Sequence, residues 1–326
     1  MKIVRAVKCA AEREQLERAK TVAKKADIRA LEIQEILPLI QKYSFRERGN
    51  FIIKIFKDFP SNRLSYHFPI EPGWSRLSKA LKFDLTTANP KLLTLVEETI
   101  KEAGYVGKVF RIKPEIPIIL HLFGFVKPRE VNKKERRKRL KVGEKRLLEL
   151  KKMADYYSRQ YGVSLIVVRE NNPPDQGGVC GTLDYHPKEL TSLEKKEIGA
   201  CLDFSHLWQT YLYYQKGRRE FPGVDLNKKI FSEIKLEKVI DCLKKELKIL
   251  HLNDAGPEYK NEFEGLEIGK GNFPHSFFIP LIHGKLNHDI IGTYEIRYGH
   301  MSPEVILRSD KFYQKLFKEK FKQYFE

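Results

Sequence analysis

HLNDAGPEYKNEFEGLEIGKGNF, residues 251–273, decides the fold. It starts inside the apolar run LKILHLND (247–254), sets His251, Asn253 and Asp254 where that run stops, and closes on a Gly-Lys-Gly turn. A buried strand whose last residues turn polar, followed by a loop rather than a tight hairpin, is what a barrel strand looks like when it delivers its C-terminal end to a site. Such a reading requires other strands that end the same way.

Working outward, short β-branched runs recur at 1–7, 28–36, 62–68, 116–124, 163–171, 198–204, 247–254 and 288–296. Between them lie stretches with apolar residues at helical spacing, among them 10–26, 89–105, 144–161, 236–247 and the terminal 302–325. Strand and helix alternate to the end, which implies parallel strands, and eight is the number a closed (β/α)8 TIM barrel needs. An open doubly wound sheet alternates in the same way, but its ligands gather at one switch point. Here polar residues close many different runs: His67 the third, His121 the fourth, Glu170 the fifth, Asp203 the sixth, His251 with Asp254 the seventh, and Glu295 the eighth. No GxGxxG follows the first run, and there is no internal repeat or low-complexity linker, so the expectation is one α/β domain over 1–326.

Of the 326 residues, 41% are hydrophobic and 32% charged, the balance of an ordinary globular chain. No apolar stretch approaches the roughly 20 residues of a membrane span. The N-terminal MKIVRAVKCAAEREQLERAK is charged where a signal peptide is apolar, so a cytoplasmic location is expected. Cys9, Cys180, Cys201 and Cys242 show no CxxC spacing, which argues against a zinc ribbon or a disulfide framework. Lys and Arg outnumber Asp and Glu by 61 to 43, a net +18, which favours polyanionic partners but also describes a lysine-rich solvated surface.

Each strand-end histidine or carboxylate, taken alone, is as readily a hydrogen-bonded or ion-paired core residue. Together they are harder to explain that way, because carboxylates converging on one barrel mouth repel unless a cation neutralises them. Mixed His, Asp and Glu donors suit zinc, manganese or a similar divalent ion.

ENNPPDQGG (170–178), CLDFSH (201–206), HLNDA (251–255), IGKGNF (268–273) and the YE of 294–295 resemble successive signatures of the endonuclease IV and xylose-isomerase-like TIM barrels. LSYHFP (64–69) and IILHLFG (118–124) add two weaker matches. The resemblance implies a metal site of Glu170, Asp203, His251 and Glu295, with His67 and His121 holding a second metal bridged by Glu170, hence two ions, zinc or manganese. It gives His206 a role in both branches: on a third zinc in the nuclease, on substrate in the epimerases. Where the nuclease has the other third-zinc ligands, this chain has Phe263 and Gly265, which cannot bind metal. Glu262, Glu264 and Glu267 stand close by and read most simply as a solvated acidic loop. The nuclease's insertion residues are also missing, with Ile70 in place of a tyrosine after the third run.

Residues 126–146 form the densest cationic run, directly after the fourth strand. A helix carrying Lys133, Lys134, Arg136, Arg137 and Arg139 could track a phosphate backbone, and Arg218 and Arg219 could add to it; the plainer reading is a solvated helix face. Trp208, Tyr211 and Tyr213 could stack bases but more simply form a packed helix face.

Two enzyme readings follow. The first is an endonuclease IV-like phosphodiester hydrolase acting on DNA, with two metals activating water and Glu170, Glu295 and His206 as catalytic groups. The second is a sugar or sugar-phosphate isomerase or epimerase, in which one metal polarises a carbonyl while Glu170 and Glu295 exchange protons with the neighbouring carbon. The basic surface and the two extra histidines favour the hydrolase. A nucleic-acid-binding barrel without catalysis ranks below both, since a dead site has no physical reason to keep repelling carboxylates together.

Overall fold

Each of the eight apolar runs becomes a strand: β1 Ile3–Ala10, β2 Ala30–Ile36, β3 Arg63–Ile70, β4 Ile116–His121, β5 Leu165–Glu170, β6 Gly199–Asp203, β7 Leu247–Leu252 and β8 Ile290–Tyr294. The computed structural model describes residues 3–58, 62–70, 84–87, 89–122, 133–176, 180–181, 189–190, 197–216, 235–258, 264–297, 299 and 301–321. The strands close into a barrel in the order β1-β8-β7-β6-β5-β4-β3-β2, and every neighbouring pair is parallel. A two-residue antiparallel ladder, Asp175–Gln176 against Cys180–Gly181, lies apart from it.

Helices α1 Arg13–Ala26, α2 Leu37–Lys42, α3 Phe45–Phe56, α4 Pro90–Phe110, α5 Lys133–Tyr161, α6 Phe204–Lys216, α7 Leu236–Leu243, α8 His275–Lys285 and α9 Pro303–Phe321 connect the strands. Two helices, α2 and α3, lie in the stretch between β2 and β3, where no long helical apolar pattern stands out in the sequence. The start signal there is a capping box: the Ser44 hydroxyl accepts from Glu47 N–H while the Glu47 carboxylate accepts from Ser44 N–H. None of the described helices is long and apolar enough to cross a membrane.

Side chains along a strand alternate between barrel interior and helix layer. Ala6, Ala30, Ile119, Val168, Cys201, Ile249 and Ile291 form one apolar layer inside the barrel. Two residues further along the same strands stand Lys8, Glu32, His121, Glu170, Asp203, His251 and Thr293, so the next interior layer is almost wholly polar. The lower layer plugs the barrel, and the upper one lines its C-terminal mouth.

The outward faces pack on the helices, mostly through apolar side chains, and one buried charged cluster interrupts that packing between β2, α3 and α4. Glu35 of β2 meets Arg48 of α3 and Glu102 of α4, all buried: Arg48 Nε lies 2.6 Å from Glu102 Oε2 and 3.3 Å from Glu35 Oε2. Two carboxyls share one guanidinium. Burial and the neighbouring Glu35 raise Glu102 well above the usual carboxylate range, and burial raises Glu35, so the pair retains a proton.

Candidate metal centre

Glu170 is the hub. His67 Nε2 lies 3.1 Å from its Oε2 and His121 Nε2 3.3 Å from the same oxygen, while His251 Nδ1 and His206 Nδ1 lie 3.1 and 3.5 Å from its Oε1. Glu295, just beyond β8, turns Oε2 onto His251 Nδ1, and Asp203 Oδ2 is 3.8 Å from that nitrogen. Donor atoms of His67, Glu170, His251 and Glu295 lie within 4.8 Å of one another, as do those of Glu170, Asp203 and His206. All six strand-end residues marked as metal ligands, and His206, therefore meet in one place.

The histidine tautomers test whether a cation fits. His121 Nδ1–H donates to Asn172 Oδ1 at 2.9 Å, and burial holds this imidazole neutral, down to about 3. Its Nε2 lone pair then confronts a carboxylate oxygen. His67 Nδ1 faces Phe68 O at 3.4 Å, which leaves its Nε2 in the same position opposite Glu170. Lone pairs converging on a carboxylate need a proton or a metal ion between them. Glu295 Oε2 is likewise buried without a hydrogen bond although it presses on His251. The donors fit a divalent ion.

Protons stand where cations would bind. Burial opposes ionisation of Glu170, yet the charge of His251 and its hydrogen bond hold the carboxyl well below the usual range. Burial also opposes the Glu295 carboxylate, which His251 and Lys8 hold low. His251, despite burial, is raised well above its ordinary value by Glu170, Glu295 and Glu32 around it, and Cys201 beneath. His206 is raised to about 10 against the pull of burial, by Asp203 and Glu264. Asp203, in contrast, is raised by burial and by repulsion from Glu170 and Glu295.

A ring of supporting groups was not legible as part of the site from the sequence. Glu32 Oε1 sits 3.2 Å from His251 Nε2 and orients the ring so that Nδ1 faces the centre, the arrangement metal-binding histidines use. Glu32 itself is held by Thr293 Oγ1 at 2.8 Å and Ser65 Oγ at 3.2 Å, and burial notwithstanding, His251 and Lys8 lower it to about 2. Asn171 and Asn253 brace Asp203 through its backbone and Oδ2. The first β run also extends past residue 7 through Ala10, which brings Lys8 into the barrel. Period-two alternation in ALEIQEI signals that Glu32 shares a face with Ala30; nothing local signals Lys8.

Asp254 is not a ligand. It accepts N–H bonds from Ala255, Gly269 and Phe273 at 2.8–2.9 Å, and its backbone pairs with Leu266. Residues 264–270 are thereby brought back beside the end of β7. A Cβ on Gly271 would come within 2.3 Å of Ala255 O and 2.5 Å of Asp254 Oδ1, so the Gly-Lys-Gly turn admits only glycine there. Phe263 and Glu262 lie outside the described residues, and Gly265, at φ +67, has no donor. Glu264 corrects the expectation of a solvated acidic loop: its Oε1 accepts from His206 Nε2–H at 2.8 Å. Glu267 is spent on Arg308, 2.8 Å away.

The expected phosphate-tracking residues come out differently. Arg136 is buried and bonded to Glu189, and Arg139 donates to Asp84 Oδ2 at 2.9 Å and Thr86 Oγ1 at 3.0 Å, so both anchor α5 to the body of the protein. Lys134 and Arg137 are exposed. The Lys133 side chain, Ile70's side chain, Arg218 and Arg219 lie outside the described residues. Trp208 stacks on Tyr211 with centroids 5.1 Å apart and donates Nε1–H to Gly256 O, as a packed helix face does.

Fold and site together define a (β/α)8 barrel with a buried His/Asp/Glu cluster at its C-terminal mouth, whose donor atoms lie close enough together to hold a metal ion. No protein-family model and no curated protein sequence matches the chain. Solved structures do. A D-tagatose 3-epimerase-like protein superposes with a TM-score of 0.59 at 15% identity, covering 95% of this chain and 98% of that one. The D-allulose 3-epimerase of Methylomonas sp. gives 0.56 at 13%, covering 98% and 97%. The 3-keto-D-glucoside 4-epimerase of E. coli gives 0.57 at 11%, covering 95% and 100%. At these identities the likeness is one of fold.

Proposed function

We propose that the chain is a divalent-metal-dependent sugar isomerase or epimerase acting on a ketose or a phosphorylated ketose. The observation that carries this reading is the meeting of Glu170 and Glu295 at His251, from strand ends separated by two others in the barrel, with Asp203 3.8 Å from the same imidazole. The fold likeness to two sugar epimerases and a D-tagatose 3-epimerase-like protein supports it.

Glu170, Asp203, His251 and Glu295 would hold the cation, and their mixed oxygen and nitrogen donors suit zinc or manganese. When bound, it supplies a Lewis acid that polarises a carbonyl oxygen. A carboxylate oxygen of Glu170 or Glu295 would take the proton from the carbon beside the carbonyl, and one of the pair would return it. His206 already donates from Nδ1 to Asn171 O at 2.8 Å, so a substrate oxygen that displaced Glu264 would receive the N–H at Nε2. The buried apolar layer beneath the mouth excludes water from below. One domain spanning 1–326 is part of the same proposal.

A second reading, the endonuclease IV-like hydrolase on DNA with two cations, draws on one observation. His67 and His121 both aim Nε2 at Glu170 Oε2, as a second ion bridged by Glu170 would require. Against it stand the donor-less Gly265, the Glu264 side chain on His206, and the engagement of Arg136 and Arg139 inside the protein.

Chromatography of ketoses and ketose phosphates after incubation with the protein and Zn2+ or Mn2+ tests the choice. The expected result is interconversion of epimers or isomers that EDTA abolishes and Glu170→Gln reduces by about 100-fold or more, the contribution of a positioned base. Nicking of abasic-site duplex with every sugar unchanged would instead establish the hydrolase.

A further inference from the structure

We propose that Lys8 is a positioning residue of the cation centre: from β1 its ammonium holds Glu295 and Glu32 together, fixing Glu295 directly and His251 through Glu32. This rests on the metal-dependent reading above.

Glu295 lies one residue past the end of β8, at Tyr294, so strand pairing alone does not set its side chain. Lys8 Nζ does so, at 2.5 Å from Glu295 Oε1. That leaves Oε2 as the only oxygen Glu295 turns toward His251 and the other donors. Glu295 therefore offers a cation one oxygen rather than two.

The same ammonium is 3.2 Å from Glu32 Oε1, its neighbour across the β1–β2 ladder. Glu32 Oε1 is in turn 3.2 Å from His251 Nε2, and Thr293 and Ser65 hold its other oxygen. With 11% of its side chain exposed and Glu32 fully buried, Lys8 lies in the barrel rather than at its surface. A lysine placed there costs desolvation that Glu295 and Glu32, with Glu170 beyond them, offset. Two of the proposed ligands, one on β7 and one just past β8, are thus aligned by one donor from β1.

The test is a Co2+ titration followed by visible absorbance on the wild-type chain, Lys8→Met, Glu295→Gln and the double variant. Lys8→Met is expected to weaken Co2+ binding about 10–100-fold, the usual consequence of losing a group that orients a ligand. In the Glu295→Gln background the same change should cost clearly less than in the wild type, because the Glu295 arm is gone and the route through Glu32 to His251 alone remains. Wild-type affinity in Lys8→Met overturns the assignment, and so does an equal loss in both backgrounds, which would show that Lys8 does not act on Glu295. Lys8→Arg is the second variant, for a methionine chain that does not fold. Its planar fork cannot reproduce a point donor, so a shifted Co2+ spectrum supports the assignment, and an unchanged spectrum and affinity overturn it. Failure of the wild-type chain to take up Co2+ removes the reading of the site and Lys8 with it, whereas tight binding shared by Lys8→Met removes Lys8 alone.

Discussion

Asp254 and Glu264 divide the work of the 251–273 segment in a way their residue types do not reveal. Asp254 spends its carboxylate on three backbone N–H groups, and Glu264 spends its own on His206. The first residue is structural, and it places the second. Asp254→Ala leaves three donors in a buried turn without their acceptor, so unfolding by denaturant is expected to show a loss of at least about 1–3 kcal/mol, the cost of one such orphaned group. Unchanged stability would mean that the loop is held by something other than this carboxylate. That these side chains converge was legible because barrel geometry forces the last interior residue of each strand toward one mouth, so the meeting of His67, His121, Glu170, Asp203 and His251 followed from counting. Glu264 was not, because a loop glutamate acquires its partner only from the fold of a turn whose closing contact is 15 residues away, between Gly269 and Asp254.

At the scale of elements, the eight strands were readable because each is a short apolar run with a clear start and stop, whereas α2, α3 and α8 escaped notice. Those helices are short or mixed in pattern, and Pro280 sits inside α8. The attachment of α3 and α4 to β2 depends on Arg48. Removing it strands buried carboxylates, so Arg48→Met is expected to cost roughly 3–5 kcal/mol in a denaturant titration. Glu102→Gln should cost far less, since an amide replaces a carboxyl that burial already keeps protonated; equal losses for the two variants would contradict a shared proton. The contact of α8 with α9 carries a pH dependence. His283 packs on Phe317, with ring centroids 4.7 Å apart, and burial lowers its pKa to about 4 from the usual 6.5. The unfolded chain thus takes up this proton more readily than the folded one, so the stability linked to it is full above pH 6.5 and is lost as pH falls toward 4. Thermal melts of His283→Gln should be flatter over that window than those of the parent; parallel curves would exclude His283 as the source.

On the scale of the whole molecule, the barrel spends its N-terminal half on packing and its C-terminal half on charge. Seven strands show the same step, an apolar interior residue followed two positions later by a polar one. That regularity made the closed barrel and its mouth predictable once the same polar ending recurred in run after run. What it could not convey was which groups support the ligands, because Lys8, Glu32 and Thr293 gain meaning only when β1, β2 and β8 are brought side by side. Nor could charge decide the partner. The excess of 61 basic over 43 acidic residues pointed to nucleic acid, yet Arg136 and Arg139 of the densest run are bonded to carboxylates of the chain itself. A cation at the mouth remains the point on which the chemistry turns. Crystals grown with Zn2+ and measured at the zinc absorption edge would locate it directly. An anomalous peak about 2.0–2.2 Å from oxygen or nitrogen atoms of Glu170, Asp203, His251 and Glu295 is the expected result. No peak in the barrel mouth, or one bound only by surface residues, would contradict the account.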